Sequence, residues 1–406
     1  MMYSGEKQNS GSFQRHKRFA DDSEEHYEFE SDRKTKNIDR PNFEMWNFSR
    51  QGNFKEKNKW QKWETSLEDK FVDVPKPNKP RNYTISIAVP ASILEETCIK
   101  DELRTYVVGQ LARAANIYSV DEIVVYDDGC WRKKYSAGTS SVSRELMEMM
   151  QMLLEYQECP QYLRKHLFKF HHYLRSVGVL NALNCPHHLR FNQWCEYREG
   201  VVLERGSKLM SFVDVGLATN VSIDQKLEPG LRVTVKLPPE AREMRKPFGT
   251  VVSPDEPRVE AGYYWGYRVR VAHSLTEVLT GSRFPDGYDL LIGTSDKGED
   301  IKKTEYPTFS HALIVFGGVE GLEAAVEADS ELEATEPLHL FDFYTNTCPL
   351  QQTRTIRTEE AVLISLCVLQ DKLVPKGIME PSKDVQNCDS NLKSQKRKKS
   401  KDPQTS

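Results

Sequence analysis

The chain has 406 residues, which suits one to three domains, and its 38% of hydrophobic residues suffices for a core with polar segments left over. The net charge of −4 excludes a basic field over the whole surface, so any contact with nucleic acid must be local. No apolar run approaches the roughly 20 residues of a membrane span, and the eight cysteines form no C-x-x-C pair. We therefore expect a soluble, intracellular chain with reduced thiols and no membrane contact.

Both ends of the chain are polar. Residues 1–78 contain too few apolar side chains to offset the entropy cost of ordering, which predicts a disordered charged arm. Trp60 and Trp63 within this arm predict a short surface helix. Residues 379–406 are predicted to form a second disordered tail. Its basic cluster suits either a nuclear import signal and phosphate contact or an ordinary solvated tail: Lys393, Lys396, Arg397, Lys398, Lys399 and Lys401.

An α/β pattern occupies residues 79–193. A strand predicted at Thr84–Val89 is followed by a helix at Asp101–Ile117 and a second strand at Glu122–Tyr126. A strand, a helix and a strand at this spacing form a βαβ unit, which predicts a parallel sheet. Further helices are predicted at Val142–Gln157 and after Pro160.

Residues 194–258 show a different pattern, with short strands between Gly and Pro turns and no long helix. This pattern predicts a small, OB-like β-barrel inserted into the α/β domain. Its predicted strands are Gly200–Leu203, Ser211–Val215, Ala218–Ile223, Leu231–Leu237 and Phe248–Val252.

The α/β pattern resumes in residues 259–378. A helix is predicted near Ser274–Thr280, and the last helix, Thr358–Leu369, is apolar nearly all round. A helix of that kind is buried on several sides, which suits a core or a subunit interface. The predicted strands are Tyr263–Ala272, Tyr288–Ile292, Ala312–Phe316 and Leu340–Tyr344.

Two loops that follow predicted strands have the composition of a ligand site. In HALIVFGGVEGLE a buried strand runs into Gly317-Gly318 and then Gly321, which suits a tight turn or the close approach of a ligand. The second loop, Asn346–Thr358, is polar and leads into the apolar helix. Each loop alone is compatible with a plain turn or a solvated loop. Together, at the carboxyl ends of parallel strands, they predict a ligand site.

Cys185-Pro186-His187-His188 is the only stretch that suggests a metal site. It lacks the spacing of a four-ligand zinc site, and adjacent histidines seldom share one ion, so no metal is predicted.

Several stretches together are similar to a known family: RNYTISIAVP, GQLARAANIYSVDEIVVYD, YYWGYRVR, GYDLLIGTSDKG, HALIVFGGVEGLE and NTCPLQQTRTIRTEEAVLISL. From Tyr83 to about Lys376 the chain resembles the eukaryotic SPOUT-domain methyltransferases with an OB-fold insertion. The resemblance implies an RNA methyltransferase built on a trefoil-knotted α/β sheet. It also implies a homodimer in which each site is completed near the subunit interface.

The resemblance implies that S-adenosylmethionine binds to the two loops in a bent form. The residues that it assigns to cofactor binding are Phe316, Gly317, Gly318, Glu320, Gly321, Leu322, Asn346, Thr347, Cys348, Gln352, Arg354, Thr355, Ile356 and Thr358.

The resemblance also bears on the chemistry. GQLARAANIYSV is similar to the first motif of the SpoU-type 2′-O-methyltransferases, whose functional arginine falls on Arg113. The third SpoU motif is not matched, because Arg354–Arg357 stands in its place, so uridine N3 of ribosomal RNA is favoured over ribose 2′-O. A cation can stabilise the anion that forms as the nucleophile loses its proton, and Arg113 is the first candidate and Arg357 the second. No residue stands out as a general base.

Four residues are predicted to contact RNA together with the inserted barrel. As a strand, Gly262–Ala272 places Tyr264, Arg268 and Arg270 on one face, which suits base stacking and phosphate contact. Arg104 lies on the same predicted helix as Arg113. An ordinary exposed strand face and solvated arginines are the alternatives.

A scaffold protein is the competing functional hypothesis. Members of this family are described at the centromere and spindle, and the charged tails suit binding of spindle, centrosome or kinetochore proteins. The expected localisation is nuclear or nucleolar, with spindle association in mitosis. In this hypothesis the knotted domain is structural; in the first it is an enzyme.

Overall fold

The computed structural model describes residues 72–74, 79–96, 100–130, 140–206, 209–333 and 336–377, which belong to one compact unit. Most of the predicted arm, including Trp60 and Trp63, and the basic cluster at 393–401 lie outside the described residues. The predictions for them stay predictions. None of the helices in the described ranges is long and apolar enough to cross a membrane.

Thirteen strands are formed by the described residues. They are β1 Val72–Asp73, β2 Thr84–Pro90, β3 Glu122–Tyr126, β4 Gln193–Trp194, β5 Tyr197–Gly206, β6 Ser211–Asp214, β7 Val221–Ile223, β8 Arg232–Lys236, β9 Phe248–Val252, β10 Arg268–Ala272, β11 Leu290–Asp300, β12 His311–Val315 and β13 Phe343–Asn346.

Eight α-helices accompany them within the same ranges. They are α1 Ile93–Glu96, α2 Asp101–Ile117, α3 Ser140–Glu158, α4 Gln161–Leu167, α5 Glu256–Val259, α6 Leu275–Thr280, α7 Gly321–Ala328 and α8 Thr358–Leu373. Short 3-10 turns occupy His172–Val179, Pro239–Arg242, Pro337–His339 and Val374–Lys376.

The centre of the molecule is a six-stranded sheet in the order β10-β3-β2-β12-β11-β13, and every neighbouring pair is parallel. The inner strand β2 is buried along its whole length, as its apolar sequence TISIAVP predicts for a strand covered on both faces. The predicted parallel α/β sheet is confirmed.

Helices cover both faces of this sheet. On one face α2, α3 and α8 pack on alternate strand residues such as Ile87 and Ile314. On the other face α6 and α7 pack on the residues between them, such as Ala88 and Val315. Because side chains alternate along a strand, each strand contributes to both cores.

The inserted segment forms a closed five-stranded barrel in the order β5-β6-β7-β9-β8. Its strands pair antiparallel except β7 and β9, which run parallel. Val213, Val221, Ile223 and Val235 fill the interior and are fully buried. The predicted OB-like barrel is confirmed, with strand ends that differ by a few residues from those predicted.

The strand predicted at Tyr263–Ala272 begins only at Arg268. Gly262 and Gly266 have φ of +74° and +86°, so the chain turns twice where an extended strand was expected. A Cβ on Gly266 would lie 2.5 Å from the Glu158 carboxylate, so the turn also requires glycine for space. The pattern of aromatic residues predicted a strand because it does not reveal these turns.

Other boundaries also differ from the predictions: the strand predicted at Tyr288–Ile292 spans Leu290–Asp300, and the last helix continues past Leu369 to Leu373. Val72–Asp73 pairs with Gln193–Trp194, although it lies within the arm predicted as disordered. The strand predicted at Leu340–Tyr344 is displaced to Phe343–Asn346, because Leu340 closes the 3-10 turn that starts at Pro337.

A buried ionic cluster joins the barrel to the sheet domain. Arg232 of β8 binds Glu158, at the end of α3, through two hydrogen bonds of 2.7 and 3.0 Å, and Glu199 of β5 at 2.6 Å. Trp265 donates to the same Glu199 carboxylate at 2.7 Å. Burial by itself would raise the pKa of Glu158, but Arg232 and His187 outweigh it and hold that pKa well below its usual range.

We expect Arg232→Ala to lower the free energy of unfolding at pH 7 by about 3 kcal/mol, because it leaves two buried carboxylates without their cation. Urea denaturation measures this. Lys165→Ala is the control, since Lys165 is exposed and lies 3.6 Å from Asp214, and a surface pair contributes about 1 kcal/mol or less. Equal effects of the two variants would contradict a structural role for the cluster.

The same cluster predicts a pH dependence. A lowered folded-state pKa stabilises the fold above the ordinary carboxyl pKa of 4.5, and this stabilisation is lost as the pH falls below it. We therefore expect the stability difference between the parent and Arg232→Ala to shrink below about pH 4.5. A stability difference between the two proteins that stays constant to lower pH would contradict a role for the ionised Glu158 carboxylate.

Candidate active site

A cavity of about 240 Å³ lies where β11, β12 and β13 end side by side. The carboxyl ends of adjacent parallel strands are the usual ligand position in an α/β sheet. Three loops and the start of α8 form its walls. The lining residues are Ile93, Thr294, Ser295, Asp296, Phe316, Gly317, Gly318, Val319, Gly321, Asn346, Thr347, Cys348, Gln351, Arg354, Thr355, Ile356, Arg357, Thr358, Ala361, Ile364 and Ser365.

The loop after β12 is packed too tightly for side chains at its glycines. A Cβ on Gly317 would lie 2.5 Å from the carbonyl carbon of Gly321, and Gly321 itself has a φ of +79°. The Gly317 carbonyl accepts a hydrogen bond of 3.0 Å from the Thr358 hydroxyl, the first residue of α8. The glycines thus bring the backbone to the cavity wall and hold the two predicted loops together.

Gly318 rests on a polar pair contributed by two further parts of the chain, the segments after β2 and β3. A Cβ at this position would meet the Asp128 carboxylate at 2.8 Å and the Ser92 hydroxyl at 3.0 Å. Ser92 donates to Asp128 at 2.5 Å, and burial raises the pKa of the Asp128 carboxyl. Asp128 follows β3, whose end was predicted correctly, but nothing in the sequence indicated that this end meets the glycine loop.

The loop after β13 is fixed by its own polar side chains. The Asn346 amide donates to the Asp296 carbonyl at 2.8 Å, and its oxygen accepts from the Cys348 backbone at 2.9 Å. Thr347 and Ser365 hydroxyls share a hydrogen bond of 2.7 Å. These bonds tie the loop to β11 on one side and α8 on the other, so the cavity wall is pre-formed.

Residues Thr294, Ser295 and Asp296 also line the cavity and were not predicted as site residues. The pairing of β11 with β13 shifts register between Thr294 and Glu299, which bulges this stretch toward the cavity. Gly298, inside the bulge, comes too close to the Thr345 backbone to carry a side chain. The signal in the sequence was GTSDKG, a polar stretch between glycines directly after the apolar strand residues.

A family model described as Putative RNA methyltransferase matches residues 84–369, which include the whole cavity. The chain belongs to this family.

A 28S rRNA (uridine-N(3))-methyltransferase of Mus musculus is 50% identical over 306 residues, covering 74% of this chain and 79% of that protein. The Homo sapiens protein of the same name is 48% identical over 317 residues, covering 77% and 84%. Among solved structures, the SpoU methyltransferase AviRb from Streptomyces viridochromogenes in complex with AdoMet covers 74% of this chain and 61% of its own, at 10% identity and a TM-score of 0.26. The sequence matches confirm the predicted family.

Most of the residues that were predicted to bind the cofactor of this RNA methyltransferase line the cavity, and three do not. Leu322 is fully buried in the core under α7, Glu320 lies exposed at the start of that helix, and Gln351 lines the wall in place of Gln352. The structure therefore brings the two predicted loops together.

The two predicted catalytic arginines occupy different places. Arg357 lines the cavity and is 63% exposed, with its guanidinium 3.9 Å from Glu359. Arg113 donates to the carbonyls of Ala182 and Leu183 at 3.2 and 2.7 Å, and it does not line the cavity of its own chain. Of these two predicted catalytic arginines, only Arg357 lines the cavity of its own chain.

The predicted RNA-contact residues are also dispersed. Tyr264 donates to the Val120 carbonyl at 2.8 Å and packs against the core, and Arg270 binds two carbonyls at the end of α6. Arg104 caps α1 through the Leu94 carbonyl. Arg268 is 49% exposed in a second cavity, of about 470 Å³, between barrel and sheet. The structure does not place the four side chains on one open face.

Cys185, His187 and His188 lie close enough to hold a metal ion, with their ligand atoms within 4.8 Å of one another. Each already has a partner: Cys185 donates to Asn116, and both histidines bind the Glu158 carbonyl. Burial lowers the pKa of His188 to about 3 and raises the pKa of the Cys185 thiol. The prediction of no metal stays a prediction.

We expect Gly317→Ala to weaken S-adenosylmethionine binding about tenfold, because the added methyl group displaces the backbone that forms the cavity wall. Titration calorimetry measures the affinity. Gly178→Ala is the matched control, since nothing lies within 4 Å of a Cβ there. Unchanged affinity in Gly317→Ala would place the cofactor elsewhere.

Proposed function

We propose that this chain transfers the methyl group of S-adenosylmethionine to N3 of a uridine in the RNA of the large ribosomal subunit. Relatives that share about half of its residues over most of their length carry this activity in their names. The observation that carries the proposal is the cavity at the ends of β11, β12 and β13, whose loops lie within the family match.

The cavity fits the cofactor by its donors and its shape. At Gly317 and Gly318 no side chain covers the backbone, so a ligand can approach it closely. Hydroxyls and amides of the other two loops supply further polar contacts. Asp296 adds a carboxylate, which suits the positive charge of a sulfonium or an amino group. The bound cofactor would supply an electrophilic methyl group. The pre-formed walls would orient it for an in-line attack, the main source of rate in such a transfer.

A uridine N3 must lose its proton before or as it attacks, which leaves negative charge on the base. Arg354 and Arg357 are the two cations that line the cavity in the described part of the chain. Their fixed positive charge favours the anionic form of the base without reorganisation at the moment of reaction. Arg357 is the better placed residue because it is the N-cap of α8, whose first turn is tied to Gly317 through Thr358.

Arg268 provides the best placed contact for RNA phosphate among the predicted residues. It shares a cavity at the barrel junction with Arg258 and Arg283, and all three guanidiniums lie within 3.5 to 3.6 Å of the single carboxylate of Asp255. The whole cavity is lined by four arginines and four carboxylates, so its charges balance, and Arg268 is the most exposed of the four guanidiniums and the one most open to a backbone phosphate.

A homodimer is part of the proposal. Leu103 and Tyr106 on α2 and Leu363 on α8 are exposed, and these two helices pack side by side. An exposed apolar surface of this kind is typical of an interface. A second copy there would cover helices that adjoin the cavity and bring further side chains, Arg113 among the candidates, toward the site.

Leu363→Arg tests the dimer. We expect the parent to sediment as a dimer at micromolar concentration and the variant as a monomer, because a buried unpaired charge opposes association. Leu338→Arg, at an exposed leucine of the 3-10 turn Pro337–His339, should remain a dimer. A monomeric parent would refute this part of the proposal.

The proposed reaction places the protein in the nucleus, and in the nucleolus within it, where ribosomal RNA is made. Spindle, centrosome and kinetochore partners were predicted mainly from the charged ends. Those ends lie almost entirely outside the described residues, so the scaffold function stays a prediction.

The activity is tested with large-subunit ribosomal RNA lacking the modification, S-adenosylmethionine and nucleoside mass spectrometry. We expect N3-methyluridine from the parent. Arg357→Ala should lower kcat about a hundredfold, the usual effect of losing one electrostatic contact to a developing anion. Arg175→Ala, an exposed arginine outside the cavity, should retain activity. A 2′-O-methylated product would overturn the choice of N3, and no product would overturn the activity.

A further inference from the structure

Three side chains lie side by side on the outside of the barrel, on three neighbouring strands. Phe212 of β6 pairs with Ser222 of β7, and Ser222 pairs in turn with Phe248 of β9. We refer to Phe212, Ser222 and Phe248 as the aromatic row. Neither ring belongs to any hydrophobic cluster of the described residues.

Strand alternation fixes the row on the outer surface. Val213, Val221 and Ile223, which adjoin the row in sequence, point inward and are fully buried. Phe212 is 38% exposed and Phe248 is 50% exposed. A single exposed phenylalanine is common, but two in register on the strands either side of β7 form a surface with a defined spacing.

The small residue between the two rings keeps that surface open. Ser222 is short, and both its backbone NH and its hydroxyl bond the Pro247 carbonyl, at 3.0 and 3.3 Å. Those bonds hold the residue before Phe248 against β7. The two rings are therefore held by a rigid sheet, with a gap of one strand between them.

Basic side chains flank the row. Arg245 and Lys246 are exposed just before Phe248. Across residues 194–258, however, ten basic residues are balanced by ten acidic ones. Bulk charge therefore does not attract nucleic acid to the barrel, and any contact there depends on local groups.

We propose that the aromatic row stacks two bases of a single-stranded segment of the RNA substrate, with Arg245 and Lys246 on its phosphates. The inference rests on the proposed function for its ligand, RNA. Every base has a π-face, so stacking on phenylalanine tolerates sequence. The outer face of the second and third strands of OB-type barrels is a common site for oligonucleotides, and β6 and β7 occupy those positions.

The spacing of the rings excludes a regular duplex. Adjacent strands lie about 4.8 Å apart, so the two rings, separated by one strand, are about 10 Å apart. One base cannot reach both rings, and bases inside a helix present no open face. Each ring takes its own base, unstacked from its neighbour, as occurs in loops, bulges and ends.

Binding of a fluorescent single-stranded RNA, and of a duplex of the same sequence, to the full chain tests the proposal by anisotropy. We expect Phe212→Ala and Phe248→Ala each to weaken binding of the single strand about fivefold or more, and the double variant to weaken it further. The duplex should bind the parent weakly, and the substitutions should reduce its affinity little. Because salt does not screen base stacking, each substitution should weaken binding by the same factor at about 50 and 200 mM salt.

Matched variants separate stacking from other causes. Phe212→Tyr should bind as the parent does, whereas Phe212→Leu should lose affinity, because leucine is apolar but cannot stack as a ring. Phe170→Ala removes a ring that is 86% exposed outside the barrel and should have no effect. Full affinity in Phe212→Leu would show an apolar docking surface instead, and affinity within twofold of the parent in the double alanine variant would overturn the proposal.

Cofactor binding distinguishes this proposal from the proposed function. All row variants should bind S-adenosylmethionine as tightly as the parent, because the row is remote in sequence and fold from the cavity loops. If the parent binds single-stranded RNA through the aromatic row but forms no methylated product, the proposed function is wrong and the stacking proposal is retained. If methyl transfer is intact in the double variant with unchanged RNA affinity, the row fails and the function stands.

Discussion

The hydrogen bond between the Thr358 hydroxyl and the Gly317 carbonyl constrains the whole catalytic end of the molecule. It joins residues that are 41 apart in sequence, and the loop at Gly317 leaves no space for a side chain. Gly317 and Gly321 press against each other, and Gly318 rests on Asp128 and Ser92. The start of α8, the glycine loop and the end of β3 are thereby fixed relative to one another. A cavity between such elements needs little ordering when a ligand enters.

The barrel is held to this frame by a buried ionic network and by two small apolar clusters, one around Trp265 and one around Leu163. Glu158 and Glu199 come from the two sides of the junction, and Arg232 binds both, with Trp265 closing on the second. A buried network of this kind adds less stability than an apolar contact would, but it accepts one geometry only. The orientation of the barrel relative to the sheet matters if both contact one RNA. The arginines around Asp255 lie at the same junction, at the amino end of the sheet, because Arg268 begins β10 and Asp121, which lines the same cavity, precedes β3.

The sheet and barrel show which parts of a fold follow from a sequence pattern. Thr84–Pro90 is mostly apolar and ends at a proline, and Glu122–Tyr126 ends where the polar residues begin, so both were predicted within a residue or two. Tyr263–Gly266 was predicted as strand because its aromatic residues alternate. In the fold, Gly262 and Gly266 turn the chain to bring Trp265 onto Glu199 and the Tyr264 ring into the core. Periodicity shows which residues are apolar, whereas these turns depend on the residues from distant parts of the chain that Trp265 and Tyr264 contact.

The sequence by itself determined the class of the protein: a parallel α/β sheet, an inserted five-stranded barrel, and two loops with glycine and polar residues after adjacent strands. Each of these features follows from a local pattern of residues or from a family resemblance in short stretches of sequence. Recognising them therefore does not require knowledge of the fold. Only the tertiary structure decided which charged side chains are available. Arg113 and Arg270 are occupied by backbone carbonyls, while Arg357 borders the cavity. Likewise, Phe212 and Phe248 are unrelated in sequence and become neighbours because β7 pairs with β6 on one side and β9 on the other. Side chains that meet in this way come from distant parts of the chain. They are brought together by strand order and register, which no single segment of sequence encodes.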